Sequence, residues 1–210
     1  MKQIILFILL ISTFSIYAQN RNTKSVIVHT TDTSFAGIVN WIVNLSVDSN
    51  RYGEEMPLLN ANDLSGISFD RDSLRLIVFY NFWFISCHPC IAEIPMYDSL
   101  AYEYKDSISF VAVTFENKED IKDFLKKHQF RFQHLLMDRS DLEDLYITRR
   151  GYPTTIITYQ NKIVYCNYGG VIDSSKYFTV VTHQLRMKFQ SIFNDYLEKE
   201  RNLENNIQTR

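Results

Sequence analysis

Residues 77–95 read IVFYNFWFISCHPCIAEIP, and the fold follows from how this run divides. Its first half is β-branched and aromatic almost throughout, with the length of a strand buried on both faces. Its second half opens with Cys87-His88-Pro89-Cys90 and continues through Ile91, Ala92, Glu93 and Ile94, which reads as a helix. A buried strand therefore delivers two thiols to a helix start.

The unpaired N–H groups and the dipole at a helix N-terminus stabilise a thiolate, so Cys87 should ionise more readily than a free cysteine. Cys90, one turn deeper, should be shielded. The order expected is Cys87 as nucleophile and Cys90 as the thiol that resolves a mixed disulfide. Pro89 suits a first helical turn, where its missing N–H has no partner to lose. His88 can add positive charge beside Cys87 when protonated, and is counted with the substrate-binding residues. A structural metal site is the competing reading of any Cys-x-x-Cys, but it needs further ligands at motif spacing. The third cysteine, Cys166, falls in an expected strand and reads as a small buried hydrophobe, and no histidine pair follows. No metal and no cofactor are expected.

The segment Asn81-Phe82-Trp83, then Cys87-His88-Pro89-Cys90, Glu93 and Pro95, resembles the thioredoxin superfamily, and within it the TlpA/ResA-like thiol–disulfide oxidoreductases of the bacterial envelope. The resemblance spans roughly residues 53–190. Pro95, five residues after the second cysteine, matches a proline that kinks the active-site helix. Gly151-Tyr152-Pro153-Thr154 is similar to the loop whose cis-proline faces the dithiol. That implies a cis Pro153, with the Tyr152 backbone turned outward to pair with an extended substrate segment. Where thioredoxins carry a buried aspartate this chain has Asn81, which cannot accept a proton, so the resemblance passes that duty to Glu93. Apolar neighbours would raise its pKa toward that of a working acid or base. The alternative for Glu93 is a solvated surface carboxylate. Ser86 stands where many thioredoxins have tryptophan, which leaves the recognition surface open.

The 210 residues are 46% hydrophobic and 22% charged, suiting one α/β domain of sizeable core plus an extension. Net charge is −2 with scattered basic residues, which gives no footprint for nucleic acid. Lys2, the aliphatic run over residues 4–11 and a polar stretch ending at Ala18 have the form of a secretory signal peptide. The apolar run is short of the roughly twenty residues a spanning helix needs. An uncleaved anchor is the alternative, with Ile16 bulky for the position before a cleavage site. Export to the periplasm or cell envelope puts the dithiol where disulfides persist.

Residues 19–52 read as a β extension, because Val39, Trp41, Val43, Leu45 and Val47 alternate with mostly polar neighbours. They are expected to form one strand, paired with residues 26–29, that covers the sheet. The domain proper is expected over residues 53–200: an entry loop and hairpin to Asp72, the central strand, the active-site helix over 87–104, a strand at 108–114, a helix at 117–128, and a strand at 132–137. This βα insertion implies parallel crossovers. A short helix at 141–147, a hairpin turning at Gln160-Asn161-Lys162, and a long amphipathic helix from about residue 174 complete it, with 201–210 as a frayed tail. The whole is a thioredoxin-like fold, a central mixed sheet flanked by helices.

The resemblance implies a monomeric enzyme exchanging the Cys87-Cys90 pair with thiols or disulfides of envelope proteins. It implies a reductant, for instance in cytochrome c maturation, supplied by a membrane dithiol carrier. Two other readings share these residues. A thiol peroxidase of peroxiredoxin type wants a hydroxyl three positions before its cysteine, where this chain has Phe84. A copper chaperone would use both sulfurs as soft ligands, without the Met or His that such a site wants.

Overall fold

The sheet is built outward from the strand that carries the dithiol. In the computed structural model, which describes residues 47–173 and 177–208, six strands run in the order β1-β4-β3-β2-β5-β6. They are β1 (Ala61–Asp63), β2 (Ile77–Phe82), β3 (Ser109–Thr114), β4 (Gln133–Met137), β5 (Thr154–Tyr159) and β6 (Lys162–Tyr168). Strands β2, β3 and β4 are parallel, while β5, β6 and β1 are antiparallel to their neighbours, so the sheet is mixed. All six residues of β2 are buried, as its unbroken apolar run requires of a strand covered on both faces.

Alternation along the central strands divides the core. Ile77, Phe79 and Trp83 face one layer with Phe110 and Ala112, covered by helices α1 (His88–Glu103), α2 (Lys118–Leu125) and α4 (Phe178–Gln208). Val78, Tyr80 and Phe82 face the other with Val111 and Val113, covered by Met56, Leu59 and Leu142 of α3 (Arg139–Asp144). Phe79 is the hub of the first layer, with ring contacts to Tyr97, Phe110, Phe132, Phe189 and Phe193. These contacts draw α1 and α4 onto the same strand, and so fix the start of α1 over the end of β2.

Local chemistry sets the ends of several elements. Asn117 caps α2 by accepting from the Asp120 N–H at 2.9 Å. The helix stops at Leu125, a turn short of the expected end, and His128 instead stacks on Phe124 with ring centroids 4.1 Å apart. Gln160 and Asn161 both take positive φ, the two-residue turn that matches strand twist, so Lys162 already belongs to β6. The short helix expected at 141–147 is two pieces, α3 and a 3₁₀ turn at Tyr146–Thr148. Helix α4 runs to Gln208, where a frayed tail from residue 201 was expected: its own backbone bonds carry residues 201–206 onward although all are exposed.

The free edge of β6 is occupied. Val47 bridges Asn167, the Asp48 N–H donates to the Cys166 carbonyl at 2.9 Å, and Gly53 and Glu54 bond both backbone groups of Ile163. Residues 47–56 thereby shield an edge that would otherwise offer unpaired N–H and C=O groups. The signal peptide expected at 1–18, and the strand expected at 39–47 except for Val47, lie outside the described residues.

Candidate active site

Cys87 ends the turn after β2 and caps α1, its sulfur accepting from the Cys90 N–H at 3.3 Å and its carbonyl accepting from Ile91 at 3.0 Å. The two sulfurs are joined as a disulfide, with Cα atoms 5.2 Å apart, within the span such a bond requires. Pro89 occupies the first turn of α1, where a missing N–H costs nothing, and Pro95 lies within the helix, which runs through it. Cys87 is 6% exposed and Cys90 1%. Cys87 is thus the outer sulfur, through a narrower window than its place at a helix start suggests. His88 beside it is exposed.

Glu93 lies one turn into the helix and is 1% exposed, which overturns the alternative of a surface carboxylate. Burial pushes its carboxyl up to about 7, against the opposing pull of the Tyr97 hydroxyl and the Val171 backbone. Tyr97 Oη donates to Glu93 Oε2 at 2.6 Å and lies 3.1 Å from Thr155 Oγ1, which also accepts from Asn81 Nδ2 at 3.4 Å. Glu93 Oε1 is buried with no hydrogen-bond partner among the described residues. Asn81, 1% exposed, is therefore part of this polar chain through its amide.

The Tyr152–Pro153 bond is cis. The Pro153 carbonyl accepts from Gly169 at 2.7 Å, tying this loop to the end of β6. Tyr152 is half-buried against the cluster that holds both cysteines, and its ring lies 5.3 Å from Phe84, which in turn lies 5.5 Å from Phe115. These three aromatics and the exposed guanidinium of Arg139, 4.7 Å over Phe115, form a platform on the strand ends beside the disulfide.

Tyr97, Thr155 and Gly170 are the residues of this site that sequence reasoning missed. Tyr97 follows Glu93 by four, the spacing that puts two side chains on one helix face, and could have been read. Thr155 is brought opposite Asn81 only by the β2–β5 register. Gly170 reads as the end of a hairpin, yet it abuts Glu93 and Pro153. Cys166 is fully buried on β6 with its thiol pushed up to about 11 by burial, as a small hydrophobe should be. No group of His, Cys, Asp or Glu able to hold a metal occurs among the described residues. Likewise, no described helix is long and apolar enough to cross a membrane.

Residues 52–166 match the AhpC/TSA family. A curated relative, the thiol-disulfide oxidoreductase ResA of Halalkalibacterium halodurans, is 29% identical over 126 residues, covering 59% of this chain and 72% of its own. The solved structure of a putative thiol:disulfide interchange protein DsbE from Chlorobium tepidum aligns with a TM-score of 0.57 at 20% identity, over 68% of this chain and 97% of that one. A thiol:disulfide interchange protein from Bacteroides sp. aligns with a TM-score of 0.55 at 21% identity, over 68% and 90%. At these identities the two structures speak for the fold.

Proposed function

The chain belongs to the AhpC/TSA family, and we propose that this thiol–disulfide oxidoreductase works as an exported reductant of protein disulfides, through Cys87 and Cys90 with Glu93 as acid and base. The observation that carries this reading is the conjunction at one helix start: a disulfide across Cys87-Cys90, and a buried carboxyl titrating near 7 three residues on.

In the reduced chain, the Cys87 thiolate attacks one sulfur of a partner disulfide. A Cys87–partner bond forms, the partner S–S bond breaks, and one partner thiolate leaves. Glu93, partly anionic near neutral pH, takes the proton from Cys90, whose sulfur then attacks Cys87 Sγ. The Cys87–Cys90 disulfide forms and the second partner thiolate leaves, so the partner gains two electrons and the chain loses them. The resemblance to TlpA/ResA-like proteins supports a membrane dithiol carrier as the source of replacement electrons, and envelope cysteines, such as those awaiting haem, as the targets. The signal-peptide form of residues 1–18 supports export.

A thiol peroxidase of peroxiredoxin type is the second reading. Position 84 weighs against it: Phe84 supplies only a backbone carbonyl toward Cys87, accepting its N–H at 3.1 Å, and its side chain belongs to the aromatic platform. A peroxide there would lack a side-chain donor. Cys90→Ser in the exporting cell is the test. The variant should accumulate covalent adducts with envelope proteins that thiol reagents release, because attack survives while resolution is lost. Recovery of no such adduct would sink the reductant reading, and retained peroxide turnover would favour the peroxidase.

A further inference from the structure

Gly170 follows β6 by two residues and is exposed to solvent on one side. On the other it meets the site: a Cβ placed on it would fall 2.5 Å from Glu93 Oε1, 2.9 Å from Glu93 Cδ and 3.1 Å from Pro153 Cγ. Real Cβ atoms do not come that close to a carboxyl, so the Glu93 side chain occupies the volume that any other residue at 170 would fill. The same short segment is bonded to the proline loop through the Gly169 N–H and the Pro153 carbonyl, at 2.7 Å. Gly169 needs its own glycine for another reason, its φ of 76°, but Gly170 does not lie in the left-handed region. The requirement at 170 is one of space alone.

We infer that Gly170 is a positioning residue: its missing side chain lets the Glu93 carboxyl sit between Tyr97 and the cis-proline loop. Oε2 is held by Tyr97 at 2.6 Å, so the carboxyl cannot turn away from an added methyl without loosening that bond. The added methyl could not move aside either, since Pro153 Cγ would stand 3.1 Å from it. The titratable groups facing the carboxyl are Tyr97 on its own helix and Tyr165 on β6. Of these Tyr97 donates a hydrogen bond to it, and the Val171 backbone adds a second, weaker pull from the residue after Gly170.

The inference rests on the acid–base reading of Glu93, and its test separates the two. The carboxyl carbon of Glu93 is followed by NMR titration of the oxidised full chain in wild type, Gly170→Ala, Tyr97→Phe and the double variant. Gly170→Ala should move the midpoint upward by about one pH unit, because the displaced carboxyl loses the bond that favours its anion and such a bond is worth roughly tenfold. Tyr97→Phe should do the same, and the double variant should move it no further than Tyr97→Phe alone, since both act through one hydrogen bond. An unmoved or lowered midpoint in Gly170→Ala, or full additivity, would overturn the proposal.

Unfolding provides the second measurement. The loss of stability in Gly170→Ala should shrink by about half or more when Glu93→Ala removes the obstructing side chain, and an equal loss in both backgrounds would also overturn it. The rate of oxidation of the reduced protein by a small disulfide, across pH, then judges Glu93 itself. If Glu93→Gln keeps the wild-type profile while the NMR shifts appear as stated, the positioning stands and the acid–base reading falls.

Discussion

The hydroxyl of Tyr97 donates to Glu93 Oε2 at 2.6 Å, and that hydroxyl also lies 3.1 Å from Thr155 Oγ1. A four-residue step along α1 supplies the first contact and the β2–β5 register the second, since Thr155 stands opposite Asn81. One buried polar chain therefore joins helix α1 to both central strands. In low dielectric such a chain is worth most when every member is satisfied, and here Glu93 Oε1 is the carboxyl oxygen left over.

The stability of the fold should record that arrangement. The Glu93 carboxyl is pushed up to about 7 from 4.5, so the folded chain holds this proton more tightly than the unfolded one. Its contribution is complete below pH 4.5 and is lost as pH rises through 7, a loss on the order of 3 kcal/mol. Glu93→Gln removes that slope. Urea unfolding of the oxidised protein should show the variant gaining on wild type by roughly 2 to 3 kcal/mol between about pH 5 and about pH 8. A constant difference would mean that the carboxyl is solvated.

A second buried group acts in the opposite sense. His134 on β4 lies in an aromatic pocket with Trp83 and Phe130, bonded to the Phe130 carbonyl at 3.0 Å, and burial holds its pKa below 6.5. The folded chain keeps this ring neutral, so its contribution is present above pH 6.5 and is lost as pH falls below that. His134→Gln keeps a donor for the carbonyl without the titration. Its acid-unfolding midpoint, followed by tryptophan fluorescence, should lie below that of wild type, and an identical midpoint would rule the histidine out as a cause of acid unfolding.

Much of this was legible in residues 77–95. The apolar run of β2 has the length and composition of a strand covered on both faces, and the Cys-His-Pro-Cys after it reads as a helix start, so the strand, the turn and α1 follow in order. The crossover over β3, α2 and β4 was equally visible, because Ile121 and Phe124 mark one face of a short polar helix. Ends were less legible. His128 continues the apolar face of α2 in sequence: although the helix ends at Leu125, its N–H still bonds the Phe124 carbonyl at 3.0 Å and its ring stacks on Phe124 four residues back. The site divided in the same way: Cys87, Cys90, Glu93 and Pro153 stand in motifs, whereas Thr155 and Gly170 matter only through the register and a close approach of backbone to side chain.

Residues 47–56, along the edge of β6, also have a measurable anchor. Asp48 is 4% exposed, and its Oδ2 lies 3.3 Å from Arg150 Nη1 and 3.7 Å from Arg51 Nε. Arg150 immediately precedes Gly151, Tyr152 and Pro153, so this carboxylate ties the covering of β6 to the proline loop. Asp48→Ala should cost about 2 kcal/mol in urea unfolding, less than a fully buried pair because Arg150 is partly solvated. It should leave the titration of Glu93 in place. A loss within experimental error would reduce the bridge to a surface pair.

The aromatic platform should separate protein substrates from small ones. Phe84, Phe115 and Tyr152 keep part of their rings in water, within 5.3–6.2 Å of one another and beside Cys87. Rigid aromatic surface of this kind gains most when a partner covers it, and a small disulfide is too small to do so. Phe84 also spaces Tyr152 from Phe115, so its removal weakens the platform as a whole while the Cys87 N–H still finds the position-84 carbonyl. Phe84→Ala should therefore raise KM for a protein disulfide by roughly tenfold, about 1.4 kcal/mol of lost contact, and change the rate with a small aromatic disulfide by less than about twofold. Equal losses on both substrates would show that Phe84 supports the dithiol itself and not the surface that meets a partner.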